Sequence, residues 1–178
     1  MLRQMASSGR VTVLRKEQAM SIFPTKIVLA TDGSKEAQLA ATTAADLANS
    51  TNSELHLLCV APGNPDPVYQ IHEAGLRYET YEQALEAVKG EAQEVLDGQV
   101  QKVQEAGGSI KEAHLMIGER RDEAIIHLAE ELGAGLIVMG SRGLGGVRRA
   151  LMGSVSDSVV RHAHCPVMVV RPEQQRVV

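Results

Sequence analysis

Short, unbroken apolar runs alternate with helical stretches along almost the whole chain. The runs are Ile27-Val28-Leu29-Ala30, Leu55-His56-Leu57-Leu58-Cys59-Val60, His114-Leu115-Met116-Ile117, Leu136-Ile137-Val138-Met139 and Val167-Met168-Val169-Val170. Runs that lack polar alternation are expected of strands buried on both faces, as in parallel sheets. Between the first two, Lys35 to Asn49 is Ala-rich and helical, with Leu39 and Leu47 expected on the inner side. About Glu79 to Ala106 gives a long helix, with Leu85, Val88, Val95, Leu96 and Val103 near helical spacing. Gly90 and Gly98 weaken that helix, and Gly107-Gly108 ends it. Asp122 to Leu132 forms a further helix with Ile125, Leu128 and Ala129 inward, and Val155 to His162 another. Such alternation builds right-handed crossovers, so the expected fold is α/β: an open, doubly wound, five-stranded parallel sheet with helices on both faces.

At 178 residues the chain is long enough for one domain with a proper core. It divides into an extension over 1–24, a folded domain over 25–172 and a short polar tail over 173–178. Aromatic residues are only 2% with no Trp, so the core must be aliphatic. The same scarcity argues against single-stranded nucleic acid, whose bases need aromatic platforms. A net charge of −4 provides no basic field toward DNA or anionic lipid. No apolar run approaches the ~18 residues of a membrane span. Arg3, Arg10, Arg15 and Lys16 precede the first acid, Glu17, but no apolar signal segment accompanies them. Cys59 and Cys165 are far apart in no CxxC pattern and read as small reduced core residues. The expected location is the cytoplasm.

Chemistry concentrates after the fourth strand, in Met139-Gly140-Ser141-Arg142-Gly143, nine further residues, and Gly153-Ser154. This segment leaves the carboxyl end of a buried strand, where open α/β sheets bind ligands. Gly140, Gly143, Gly145 and Gly146 let backbone N–H groups approach an anion with no Cβ in the way. Gly153-Ser154 then opens a helix, whose free amides and positive dipole end suit a phosphate. Ser154 and Ser156 add hydroxyls in the first turn. Together these describe a phosphate cradle. It is neither a Walker A loop, since no Gly-Lys-Ser or Gly-Lys-Thr occurs, nor a Rossmann GxGxxG, since Gly143-Leu144-Gly145 is followed by Arg148 where glycine is needed.

The remaining pattern, G-x-x-G, nine residues, then G-[ST], resembles the nucleotide motif of the ATP-binding universal stress proteins, complete in Gly140, Gly143, Gly153 and Ser154. The resemblance extends to Val28-Leu29-Ala30-Thr31-Asp32-Gly33-Ser34 and to His164-Cys165-Pro166-Val167-Met168-Val169-Val170. It implies a sheet ordered 3-2-1-4-5, of the adenine nucleotide α hydrolase-like kind, with ATP across the ends of strands one and four. Ala30, Thr31 and Asp32 would line the adenosine side, with Asp32 accepting from a ribose hydroxyl or the adenine amino group. Val60 would pack on adenine, Met139 and Gly140 would continue that wall, and Gly143, Gly153, Ser154, Val155 and Ser156 would hold the phosphates. Mg²⁺ or Mn²⁺ would be held mainly through those phosphates. The resemblance also implies a homodimer through the last strand, Pro166 to Arg171. The Pro-containing stretch after Val60 and the first 24 residues have no firm counterpart in it.

Each residue also has a plainer reading. Asp32 could merely close a strand, because Asp-Gly is a common turn; its place beside the glycine loop favours a ligand role. Arg142, Arg148 and Arg149 are candidates to neutralise phosphate, although loop arginines are usually solvated. The histidines show no HExxH and no metal-type spacing with cysteine. They read as structural, His162 and His164 sitting where a cation favours a helix dipole. No nucleophile–base pair stands out, so hydrolysis is expected to be slow or absent. The functional expectation is an ATP-binding, nucleotide-responsive stress or signalling module. Its alternatives are an interaction module without nucleotide dependence and a slow ATPase or nucleotidyl-transfer enzyme. The last would favour HIGH or SGGxDS motifs, which this chain lacks.

Overall fold

A computed structural model describes residues 21–63, 81–118, 120–144 and 152–172. The elements run β1 (Lys26–Thr31), α1 (Lys35–Thr51), β2 (Glu54–Pro62), α2 (Tyr81–Glu105), β3 (Glu112–Gly118), α3 (Arg121–Leu132), β4 (Leu136–Gly140), α4 (Ser154–His162) and β5 (Val167–Val170). All neighbouring strands pair in parallel, in the order β3-β2-β1-β4-β5. The expected sheet and its order are therefore the observed ones. Outside the described residues lie most of the extension, the start of the long helix before Tyr81, the prolines at 65 and 67, Gly145, Gly146, Arg148, Arg149 and the tail.

The central strands bury both faces, as their unbroken apolar sequences require. One layer packs Ile27, Leu29, Leu55, Leu57, Leu136 and Val138 against α1 and α2. The other packs Val28, Leu58, Ile137 and Met139 against Ile125, Leu128 and Ala129 of α3 and Val159 of α4. Each Leu, Ile or Val removed from water contributes about 1.5–3 kcal/mol, so the sheet centre dominates stability.

The inner face of α1 is made of alanine, not leucine. Ala37, Ala40, Ala41, Ala44, Ala45 and Ala48 are buried, Leu47 is half-buried, and Leu39 is 39% exposed. The expectation for Leu39 is thus wrong. At 100° per residue, position 39 lies nearly opposite position 37, and the alanines already define the stripe. Small side chains there let α1 sit close to the sheet, which matters at its first turn. Ser34 caps α1 by accepting from the Ala37 amide at 3.2 Å. The long helix α2 does end at the glycine pair: Gly107 has φ +77°, and the amides of Gly107 and Gly108 donate to the Gln104 and Val103 carbonyls. This is a Schellman closure, which the left-handed glycine makes possible.

Helices α3 and α4 are joined by Asp122, which accepts from Arg120 and from the Ser158 hydroxyl at 2.5 Å. The hydrogen bond from Arg120, then that from Ser158, holds the Asp122 carboxyl far below its ordinary value near 3.8. A carboxyl depressed in the folded state contributes stability above the unfolded value and loses it as pH falls further. Asp122→Asn is expected to cost about 1 kcal/mol at neutral pH, with the gap to the parent shrinking below about pH 4. Urea midpoints measured across that range check the sign.

Candidate functional site

The chain leaves β1 toward β2 on one side and returns through β4 on the other. The crevice between their carboxyl ends is therefore the switch point of the sheet, where no crossover covers the strand tips. A cleft of about 390 Å³ opens there. Its floor and walls come from Ala30 and Thr31 of β1 and Asp32 just after it, Leu58 and Val60 of β2, and Met139 and Gly140 of β4. Arg142, Gly143, Leu144, Met152 and Gly153 form the rim, and Ser154, Val155 and Ser156 of α4 close one end. The described site residues expected from the sequence, from Ala30, Thr31 and Asp32 to Ser154, Val155 and Ser156, line this cleft, whereas Gly145, Gly146, Arg148 and Arg149 lie outside the described residues.

Asp32 holds the two halves of the site together. Its Oδ1 accepts from the Ser34 amide at 3.0 Å, and its Oδ2 from the Leu144 amide at 2.9 Å. The first is a local turn of the kind Asp favours. The second spans 112 residues and pins the loop after β4 to the loop after β1. Ser34 reinforces it, its hydroxyl donating to the Arg142 carbonyl at 3.3 Å. Two glycines permit this closeness. A Cβ on Gly143 would run into Asp32 Oδ2, and one on Gly140 would lie 2.9 Å from the Glu36 backbone in the first turn of α1.

The amino end of α4 is arranged differently from that of α1. Gly153 is its N-cap, and no side chain caps it among the described residues. The Gly153 amide donates to the Ser141 carbonyl at 2.8 Å, so the free donors are those of the first turn proper. Ser156 is buried, and its hydroxyl donates to the Ser141 and Gly153 carbonyls at 3.0 Å each. Ser156 therefore braces the cradle through its side chain and offers the cleft its backbone. Ser154 is exposed at the rim.

Some lining residues were not read from the sequence. Ala37, Leu58 and Ile125 complete the apolar wall, Leu144 and Met152 flank the mouth, and Arg121 supplies a cation from the start of α3. Among the described residues no carboxylate pairs with Arg121; its neighbour Arg120 instead binds Asp122 and Glu123. A signal did exist: Arg121 opens the helix that follows the third strand, at the same end of the sheet as Ser34. Cys59 packs in the layer under α1 and α2 and is not part of the cleft lining; its thiol is pushed up to about 11, by burial first and then by Asp32. Both cysteines are free.

The sequence profile of the universal stress protein family matches residues 24–171, which span every described strand and helix. The chain belongs to the universal stress protein family. A relative from Staphylococcus haemolyticus that carries the family name is 34% identical over 148 residues, covering 83% of this chain and 85% of the relative. Among solved structures, the universal stress protein UspA from Lactobacillus plantarum superposes with a TM-score of 0.66 at 26% identity, over 84% of this chain and 99% of that one. The universal stress protein from Archaeoglobus fulgidus in complex with dAMP shares the fold, with a TM-score of 0.58 at 23% identity over 84% and 99%.

Proposed function

We propose that this universal stress protein binds ATP in the cleft and acts as a nucleotide-responsive stress or signalling module. One arrangement carries the reading: the uncapped amino end of α4 meets the glycine-bearing loop after β4 at the switch point, with Asp32 holding that loop. Apolar Val60, Met139 and Ile125 offer a surface for a flat base, and the amides of Ser154, Val155 and Ser156 suit phosphate. The Archaeoglobus fulgidus relative, solved with dAMP, supports an adenine ligand. Arg121 adds charge to the phosphate side, and Mg²⁺ or Mn²⁺ would be held chiefly by the phosphates.

Hydrolysis is expected to be slow or absent. Asp32 already accepts two amide hydrogen bonds, which leaves it poorly placed as a base. The outer strand β5 supports a homodimer, since it lies at one end of the sheet with Met168 37% exposed. Free cysteines fit a reducing compartment, the cytoplasm.

Calorimetric titration of ATP–Mg²⁺ into the intact protein tests the reading. Saturable binding is expected, weakened about tenfold by Arg121→Gln, which corresponds to about 1.4 kcal/mol. Folded protein that takes up neither ATP nor AMP overturns it and leaves a partner-docking module in its place.

A further inference from the structure

Toward the amino ends of the strands, outside the residues that line the cleft, β2 and β3 bring two histidines and a glutamate together. His56 pairs with Glu112 in the strand register, and His114 lies two residues further along β3 on the same face. His56 Nδ1 and His114 Nε2 are 3.3 Å apart, and His114 Nε2 is 3.8 Å from Glu112 Oε2. One ligand atom from each of the three residues falls within 4.8 Å of the others. We propose that His56, His114 and Glu112 form a binding site for a divalent transition-metal ion of the Zn²⁺ class.

The spacing suits such an ion. Donors on neighbouring corners of a tetrahedron with bonds of about 2.0–2.1 Å sit about 3.3 Å apart, which is the distance between the two ring nitrogens. Two imidazoles and a carboxylate are a common zinc set that leaves the fourth position to water. That position has access to solvent, because Glu112 is well exposed while His56 is nearly fully buried.

A simple hydrogen bond between the two rings does not account for His56. Its Nε2 is buried and has no hydrogen-bond partner. If His56 Nδ1–H donates to His114, Nε2 is a bare acceptor with no donor; if His114 donates, Nε2–H faces only Glu54 Oε2 at 3.7 Å, beyond hydrogen-bond reach. A metal on Nδ1 excludes the first case, because it fixes the proton on Nε2, on the side of Glu54. A carboxylate behind a ligating histidine is the usual outer-sphere arrangement and raises the basicity of the ligand. Lys26 bears on the same site as a like charge, but its register partner is Glu54, which offsets it. No sequence spacing announces this set, because the two histidines are 58 residues apart on separate strands.

The test uses tag-free, full-length protein without nucleotide, titrated with Zn²⁺, with Co²⁺ as the spectroscopic probe. One saturable site and a tetrahedral Co²⁺ spectrum are expected. Glu112→Gln, on an exposed side chain, should weaken Zn²⁺ binding at least tenfold, and His114→Gln should abolish it. Asp32→Ala should leave it unchanged, which separates this site from the cleft. Zn²⁺ should also raise the melting temperature of the parent and not that of Glu112→Gln. Zn²⁺ affinity unaltered in Glu112→Gln, or a folded parent that takes up no Zn²⁺, overturns the proposal.

Discussion

Asp32→Ala is expected to weaken ATP binding about 100-fold while the sheet stays folded. The carboxylate accepts backbone amides from both Ser34 and Leu144, and each hydrogen bond to a charged acceptor is worth about 1.5–3 kcal/mol. The Leu144 bond is the one that matters for ligand. Without it the loop after β4 loses its tie to β1, and the cost of ordering that loop falls on the binding step. Any contact from the same carboxylate to the nucleoside is lost as well. The apolar layers on both faces of the sheet do not include Asp32, so the global fold has no large stake in it. Asp32→Asn keeps one acceptor oxygen and should fall between the two. Titration calorimetry with matched circular dichroism reads the result. An alanine variant that binds within threefold of the parent would show that neither the loop tie nor the nucleoside contact limits affinity.

Gly140→Ala is expected to act on the fold itself. Its Cβ would stand 2.9 Å from the carbonyl carbon and Cβ of Glu36 and 3.0 Å from the Ala37 amide nitrogen. Those atoms are backbone or tied to it, in the capped first turn of α1, so no rotamer change relieves the contact. Overpacking of this kind costs about 1–3 kcal/mol, or roughly 2–12 °C in melting temperature for a domain of this size. Ala37 lines the cleft, so displacing α1 should lower ligand affinity too. Gly153→Ala is the control. The nearest atom to its Cβ is the Ser141 carbonyl oxygen at 3.5 Å, and its φ of −78° suits any residue. Its melting temperature should stay within about 2 °C of the parent. Equal melting for both alanine variants would refute the packing argument.

The two variants also show how far the glycine pattern could be read. In the sequence Gly140, Gly143 and Gly153 look equivalent, all parts of one phosphate-binding spacing. In the structure they answer to different neighbours: a helix backbone for Gly140, a carboxylate for Gly143, and ordinary van der Waals contacts for Gly153. Ser156 is a similar case. Its position in the first turn suggested a hydroxyl for ligand, whereas that hydroxyl is engaged by the Ser141 and Gly153 carbonyls. Leu39 was misplaced because leucine weighs more than alanine in any reading of hydrophobicity, yet close approach of α1 to the sheet selects the alanine stripe. Arg121 was missed because its value lies in where α3 begins, not in any motif around it.

The sequence alone determined the strands, the helices and their parallel pairing, and it pointed to Gly140, Gly143, Gly153 and Ser154 as parts of one cleft, because each depends on neighbours a few residues away. Unbroken aliphatic runs demand cover on both faces, and a glycine-rich turn before a helix exposes amides whatever surrounds it. Tertiary structure decided the rest: that Asp32 reaches Leu144, that Arg121 joins the cleft, and that His56 faces His114 and Glu112. Those contacts join residues tens of positions apart. Their geometry follows from strand order and register, which the packing of the whole sheet fixes and no local spacing records.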